Sequence, residues 1–147
     1  LGNTPEYDQL SSNFFFYKSK PPWPVEKGFI SKGFGRYNHP ELNNVSFENN
    51  GIDIRTDENS SVRCLFEGKV VGILNNPTFK NAVIISHGEY FTVYSKLASV
   101  NVSKGQKIST KQVIGAAYTD EDNITEVHLE VWKGAAKLNP ADWIYKK

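Results

Sequence analysis

The sequence predicts a mainly β domain, an antiparallel sandwich or barrel-like unit with little helix. Three observations predict it. Short runs of β-branched and aromatic residues recur along the chain, Gly-containing turns separate them at close spacing, and no apolar period of 3.6 residues is sustained over several turns. The 147 residues fit one domain with a tail to spare. A hydrophobic content of 39%, with 13% aromatic residues, is enough for an ordinary globular core.

The elements follow in order. Residues 1–13 are mostly small and polar, and residues 1–20 show no heptads, so 1–20 is expected to be a linker or extension and 21–147 the folded unit. Phe14-Phe15-Phe16-Tyr17 is an aromatic cluster without a clear period; it either docks on the domain or offers a partner or self-association site. Pro21-Pro22-Trp23-Pro24 is stiff and extended, because proline fixes φ and biases its predecessor away from helix. Strands are expected at 62–66 and 69–74, joined by Glu67-Gly68, and at 82–86, ended by His87-Gly88. Further strands are expected at 90–94, 100–102, 112–115 and 127–132, the third of these after the Lys104-Gly105 turn. One helical turn is expected at 140–143, and no internal repeat is present.

Several function classes are disfavoured by composition. A net charge of +1, without runs of Lys or Arg, points to neither nucleic acid nor a charged membrane surface. Cys64 is the single cysteine, so no internal disulfide forms; it reads as a buried, inert thiol that does not select a compartment. No apolar run approaches the roughly 20 residues of a membrane span. The chain has no Met, which suggests a processed protein or fragment whose targeting segment lies outside it.

Two stretches hold candidate site residues, 49–53 (Asn-Asn-Gly-Ile-Asp) and 126–130 (Glu-Val-His-Leu-Glu). Residues i and i+2 of a strand share a face, so Glu126, His128 and Glu130 project to one side while Val127, Leu129 and Val131 take the other. That face is either solvated or the floor of a groove. Asp53, between Ile52 and Ile54, points away from the core by the same rule, and by itself is only an exposed carboxylate. His39 in its polar loop and His87 in its turn read as structural or surface residues, and neither is spaced to pair with His128 as a ligand.

The chain resembles the LytM or lysostaphin-type zinc peptidases that cut peptidoglycan cross-links. The family's His-x-Gly-x-Asp motif stands here as Asn49-Asn50-Gly51-Ile52-Asp53, its Val-Tyr-x-His-Leu motif as Val93-Tyr94-Ser95-Lys96-Leu97, and its His-x-His motif as Glu126-Val127-His128. Phe66-Glu67-Gly68-Lys69-Val70, Gly105-Gln106-Lys107-Ile108 and Leu138-Asn139-Pro140 add to the likeness, which runs from about Pro22 to Trp143. It implies a LytM-like fold of the duplicated-hybrid-motif type. The departures carry more than the matches. Asp53 and His128 fall on two of the three zinc-ligand positions and Asn49 on the third, where a carboxamide is a poor ligand. Lys96 and Glu126 fall on the two catalytic histidine positions, and a charged ammonium has no acceptor with which to act as base.

What the resemblance implies is therefore a degenerate domain like that of the EnvC-like murein hydrolase activators. No catalytic residue, metal or cofactor is expected. Asp53 and His128 are expected as remnants of the ligand set. The expected groove and partner-binding residues are Asn49, Asp53, Arg55, Tyr94, Lys96, Glu126 and His128, with Lys96 paired to Asp53 or Glu126 and with walls at 75–81 and 119–125. The expected partner is an N-acetylmuramoyl-L-alanine amidase, with peptidoglycan as a further ligand and no nucleic acid. A coiled coil is expected upstream of the chain, and the location is the periplasm or envelope of a Gram-negative bacterium. The alternatives are a zinc-dependent peptidoglycan endopeptidase and a passive peptidoglycan-binding module. A biotinyl or lipoyl carrier is rejected, because no lysine stands in the motif those carriers modify.

Overall fold

Alternation of apolar and polar residues becomes a large antiparallel sheet in the computed structural model, which describes residues 4–38 and 46–146. A helix, α1 (Pro5–Phe16), comes first. The strands are β1 (Phe29–Lys32), β2 (Gly35–Asn38), β3 (Ser46–Asn49), β4 (Ile52–Arg55), β5 (Ser61–Arg63) and β6 (Gly68–Asn76), then β7 (Lys80–His87), β8 (Tyr90–Val100), β9 (Lys107–Ile108), β10 (Val113–Thr119), β11 (Thr125–Lys133) and β12 (Ala136–Leu138). The main sheet runs β1-β4-β11-β10-β8-β7-β6-β9, with β12 on β11 and β5 on β10; β2 and β3 form a separate hairpin. The expected helical turn is a 3-10 turn at Pro140–Asp142. His39 lies outside the described residues.

The core is the inward face of this sheet. Ile52, Ile54, Val70, Val83, Ile85, Tyr94, Leu97, Ile114, Val127 and Leu129 are fully buried in one cluster. Cys64 belongs to it; burial pushes its thiol up to about 11, so it stays protonated beside the Phe66 carbonyl at 2.8 Å.

The sheet forks at one residue. Tyr90 to Ser95 of β8 pair with β11, whereas Leu97 to Val100 pair with β10. Lys96 is the hinge, with φ +64° and its N–H donating to Phe79 O at 2.8 Å. The bulge shifts the alternation by one residue. Tyr94 and Leu97 are both buried in the core, and Ser95 and Lys96 fall consecutively on the opposite face. A left-handed lysine costs about 1 kcal/mol or more.

The helix at 5–16 departs from the sequence reading, which expected no multi-turn helix. Its signals are terminal rather than periodic. Thr4 caps it by accepting from the Tyr7 N–H at 3.0 Å, Pro5 takes the first turn, and Glu6 and Asp8 face the positive end of the helix dipole. Only Ser11 and Phe14 are buried, so no apolar stripe shows in the sequence. Phe14 alone of the aromatic run inserts into the domain. It stacks on His87 at 4.6 Å and Trp143 at 4.9 Å, beside Tyr90 and Phe66. Gly88, at φ +84°, allows the helix this close, since a Cβ there would lie 2.1 Å from Ser11 Oγ.

Candidate functional site

The site grows from the pairing of β4 with β11. In that register Asp53 stands opposite His128 and Arg55 opposite Glu126, while His128 also faces Ser95 of β8. Leu129 and its partner Tyr94 take the core face, so the polar residues between them share the outer face. Gly51 is needed where β4 begins, because a Cβ there would meet Leu129 O at 2.0 Å.

The side chains form one continuous ionic chain. Arg55 holds Glu126 Oε2 from Nε at 3.3 Å and from its terminal nitrogen at 3.2 Å. The Ser31 hydroxyl donates to the same oxygen at 2.7 Å. Lys96 Nζ lies 3.7 Å from Glu126 Oε1 and 3.7 Å from Asp53 Oδ1. His128 Nδ1 is 2.8 Å from Asp53 Oδ1, its Nε2 is 2.9 Å from Glu130 Oε2, and Trp132 Nε1–H donates to Glu130 Oε1 at 2.7 Å. The expected pairing of Lys96 is present, with both carboxylates at once.

Charge states follow from these contacts. An ionised carboxylate only accepts, so an imidazole placed between two of them donates from both nitrogens and is a cation. Burial opposes that charge, but the hydrogen bonds and charges of Asp53 and Glu130 outweigh it and raise His128 to about 9. Burial likewise opposes ionisation of Asp53, and His128, Lys96 and Lys32 hold its carboxyl below the ordinary value all the same. Glu126 is also lowered: burial is outweighed by Ser31, Arg55 and Lys96. Glu130 is lowered chiefly by its hydrogen bond to His128.

A zinc ligand set does not fit these residues. Zinc needs a neutral imidazole nitrogen, and both nitrogens of His128 are committed to carboxylates. Asn49 turns aside; its amide donates to Gly33 O at 3.0 Å, and its oxygen is 3.4 Å from the Gly51 N–H. The Lys96 ammonium stands at the Asp53 oxygen that a metal would need. Among the described residues no group of three or more His, Cys, Asp or Glu is arranged to hold a metal ion.

Beside the ionic chain, the fork at Lys96 opens a cavity of about 340 Å³. Lys96 and Glu126 form its inner end, residues 77–80 form one wall, and Tyr118 with residues 120–124 forms the other. Each wall includes a turn closed by a side-chain cap. Asn76 Oδ1 accepts from Thr78 N at 2.7 Å, and Asp120 Oδ1 accepts from Asp122 N at 2.8 Å and Ile124 N at 3.0 Å. Lys80 Nζ lies over the Tyr118 ring at 4.9 Å. A second cavity, of about 860 Å³, lies between α1 and residues of β6, β7 and β9 and shares no residue with the ionic chain.

The structure thus brings Asp53, Arg55, Lys96, Glu126 and His128 together. It places Asn49 at the margin and removes Tyr94, a correction to the expected groove. Tyr94 is fully buried, its hydroxyl accepting from Leu65 N at 3.0 Å and facing Cys64. Ser31 and Glu130 join the cluster although the sequence reading left them out of the groove. Glu130 had a signal, its i+2 relation to His128. Ser31 had none, because its place depends on a break in the β1–β4 register between Ile30 and Lys32.

Residues 47–140 match the model of Peptidase family M23. The chain belongs to that family. This M23 domain is 30% identical over 110 residues to Stage II sporulation protein Q of Bacillus subtilis, covering 71% of this chain and 39% of that protein. It is 32% identical over 123 residues to the peptidoglycan DD-endopeptidase ShyA of Vibrio cholerae, covering 83% of this chain and 27% of ShyA. The chain therefore spans well under half the length of these relatives. Among solved structures, the SpoIIQ-SpoIIIAH pore forming complex contains a chain that superposes with a TM-score of 0.74 at 26% identity, over 87% of this chain and 92% of that one.

Proposed function

We propose that this M23 domain is non-catalytic and works by binding. Its groove receives a segment of an N-acetylmuramoyl-L-alanine amidase and activates it during cell-wall remodelling and cell separation, in the periplasm of a Gram-negative bacterium. The observation that carries the reading is Lys96. Its ammonium bridges Asp53 and Glu126 where a hydrolase needs a metal and a base, and with His128 it completes a charge network among these side chains. Buried carboxylates beneath the partly exposed Lys96 and Arg55 give an ion-paired floor with cationic tips toward a partner. A cavity of about 340 Å³ admits one or two side chains of an extended segment, not a whole helix. The likeness to a structure described as a complex with another protein supports a binding role for the fold, and the relation to ShyA supports a peptidoglycan setting.

The test is a dye-release assay on purified peptidoglycan. The chain alone is expected to release nothing and the amidase alone little, while the mixture is fast. Charge reversal at Lys96→Glu and at Glu126→Lys is expected to slow the mixture about tenfold or more, as truncating hydrogen-bonded charge pairs does. Stoichiometric zinc with cleavage of cross-link peptides would establish an endopeptidase instead. Co-sedimentation with peptidoglycan and no change in amidase rate would establish a passive wall-binding module.

A further inference from the structure

A face of exposed rings and lysines forms where the end of α1 meets residues 142–146. Phe15 is 59% exposed, Phe16 73% and Tyr145 41%. Lys18, Lys20 and Lys146 are exposed among them. Contacts tie Phe15, Lys18, Ser19 and Tyr145 to the segments at Pro21 and 142–143, and Phe16 follows Phe15 at the end of α1 with its ring against Tyr17. Phe15 lies 6.3 Å from the Trp143 ring, with Lys18 Nζ 5.2 Å from the same ring. Ser19 donates to Asp142 O at 2.7 Å, and the Tyr145 N–H donates to Pro21 O at 3.0 Å. Tyr145 and Lys146 then share a cavity of about 340 Å³ with Phe29, itself 58% exposed.

The near-zero net charge hides how basic this region is. Between Asp8 and Glu26 the sequence has Lys18 and Lys20 and no carboxylate side chain, and residues 142–147 set Lys146 and Lys147 against one, the exposed Asp142. Protein–protein interface cores are depleted of lysine, whereas rings flanked by lysines match the boundary between acyl chains and anionic headgroups. At 12 residues, α1 is too short to cross a bilayer.

We propose that this face docks on an anionic lipid surface, with Phe15, Phe16 and Tyr145 at the acyl boundary and Lys18 and Lys20 on the headgroups. It is separate from the groove and holds whether or not an amidase is the partner.

Vesicle co-sedimentation of the full chain tests it, comparing phosphatidylcholine vesicles with and without about 30% phosphatidylglycerol. Binding is expected only with the anionic lipid. Each double variant, Phe15→Ser with Phe16→Ser and Lys18→Glu with Lys20→Glu, is expected to weaken it about tenfold or more. Phe16→Ser alone, at a residue almost free of packing, weakens binding in the same direction without touching the fold; thermal melts of every variant verify folding. Absence of binding to anionic vesicles, equal binding to neutral ones, or variants that bind like the parent would overturn the proposal. So would a dimer in light scattering that the variants dissociate while vesicle binding persists, since the face would then belong to a second copy of the chain.

Discussion

His87 and His128 sit on β7 and β11, the two strands that flank the first half of β8, yet one is neutral and the other a cation. Under α1, His87 is fully buried; its Nδ1–H donates to Glu67 O at 2.7 Å, and its Nε2 accepts from Thr92 Oγ1 at 2.8 Å. Burial, only partly offset by the Glu67 carbonyl, pushes it down to about 4, so it is neutral. On the outer face of β11, His128 is held between two carboxylates and raised to about 9. The difference teaches that the partner type decides. A carbonyl and a hydroxyl satisfy a neutral ring that packs like an aromatic, whereas two carboxylates make the same ring a cation. The first region is built to hold the fold together. In the second, desolvation offsets part of the ion-pair energy, as in buried ion networks generally.

The largest effect that breaks the comparison comes from the apolar side. Phe14→Ala empties the pocket between His87, Tyr90 and Trp143 and is expected to cost about 3–5 kcal/mol in urea denaturation. A cost below about 1 kcal/mol would mean that α1 does not hold its place through this ring.

Next comes pH, where the two histidines act on opposite limbs. His128 is raised in the fold, so its contribution is complete below the unfolded value of 6.5 and is lost as pH rises through about 9. It amounts to a few kcal/mol at most. His87 is lowered, so stability falls as pH drops from 6.5 toward about 4, where the unfolded state takes the proton first. The lowered carboxyls of Asp53, Glu126 and Glu130 add to this acid limb, their contributions being lost as pH falls through their folded values. Melting temperature is therefore expected to peak at about pH 6–7. His128→Gln is expected to flatten the alkaline limb and to weaken the Asp53 and Glu130 share of the acid limb, leaving the His87 share in place. An unchanged alkaline limb would show that His128 is neutral in the fold.

The smallest stability effect sharpens the comparison most. Lys96 is about one third exposed, so Lys96→Met is expected to change stability by only about 0–1 kcal/mol while slowing the proposed amidase activation. A large loss of stability would instead make Lys96 part of the fold's foundation.

Much of this was legible in the sequence. Alternation in 127–131 identifies the core and site faces of β11, and Ile52 and Ile54 place Asp53 on the site face, because strand side chains alternate wherever one face is buried. The motif positions place Lys96 against Asp53 or Glu126, and the structure pairs it with both. Tyr94 was misplaced because parity along β8 depends on the left-handed residue at Lys96, and nothing in Val-Tyr-Ser-Lys-Leu announces a bulge. The helix at 5–16 was missed because its evidence is a cap and a proline, while its burial rests on Phe14 finding a pocket made by residues 66–143.

The sequence by itself determined the β class, the family's motifs and their losses, since these depend on residue identity and on a period of two. Tertiary structure alone decided that His128 is a cation and His87 neutral, that Ser31 and Glu130 belong to the charge network, and that Tyr94 does not. Charge state and membership depend on which groups lie within about 3–4 Å, and those neighbours come from strands far apart in the chain, joined in a register set by bulges.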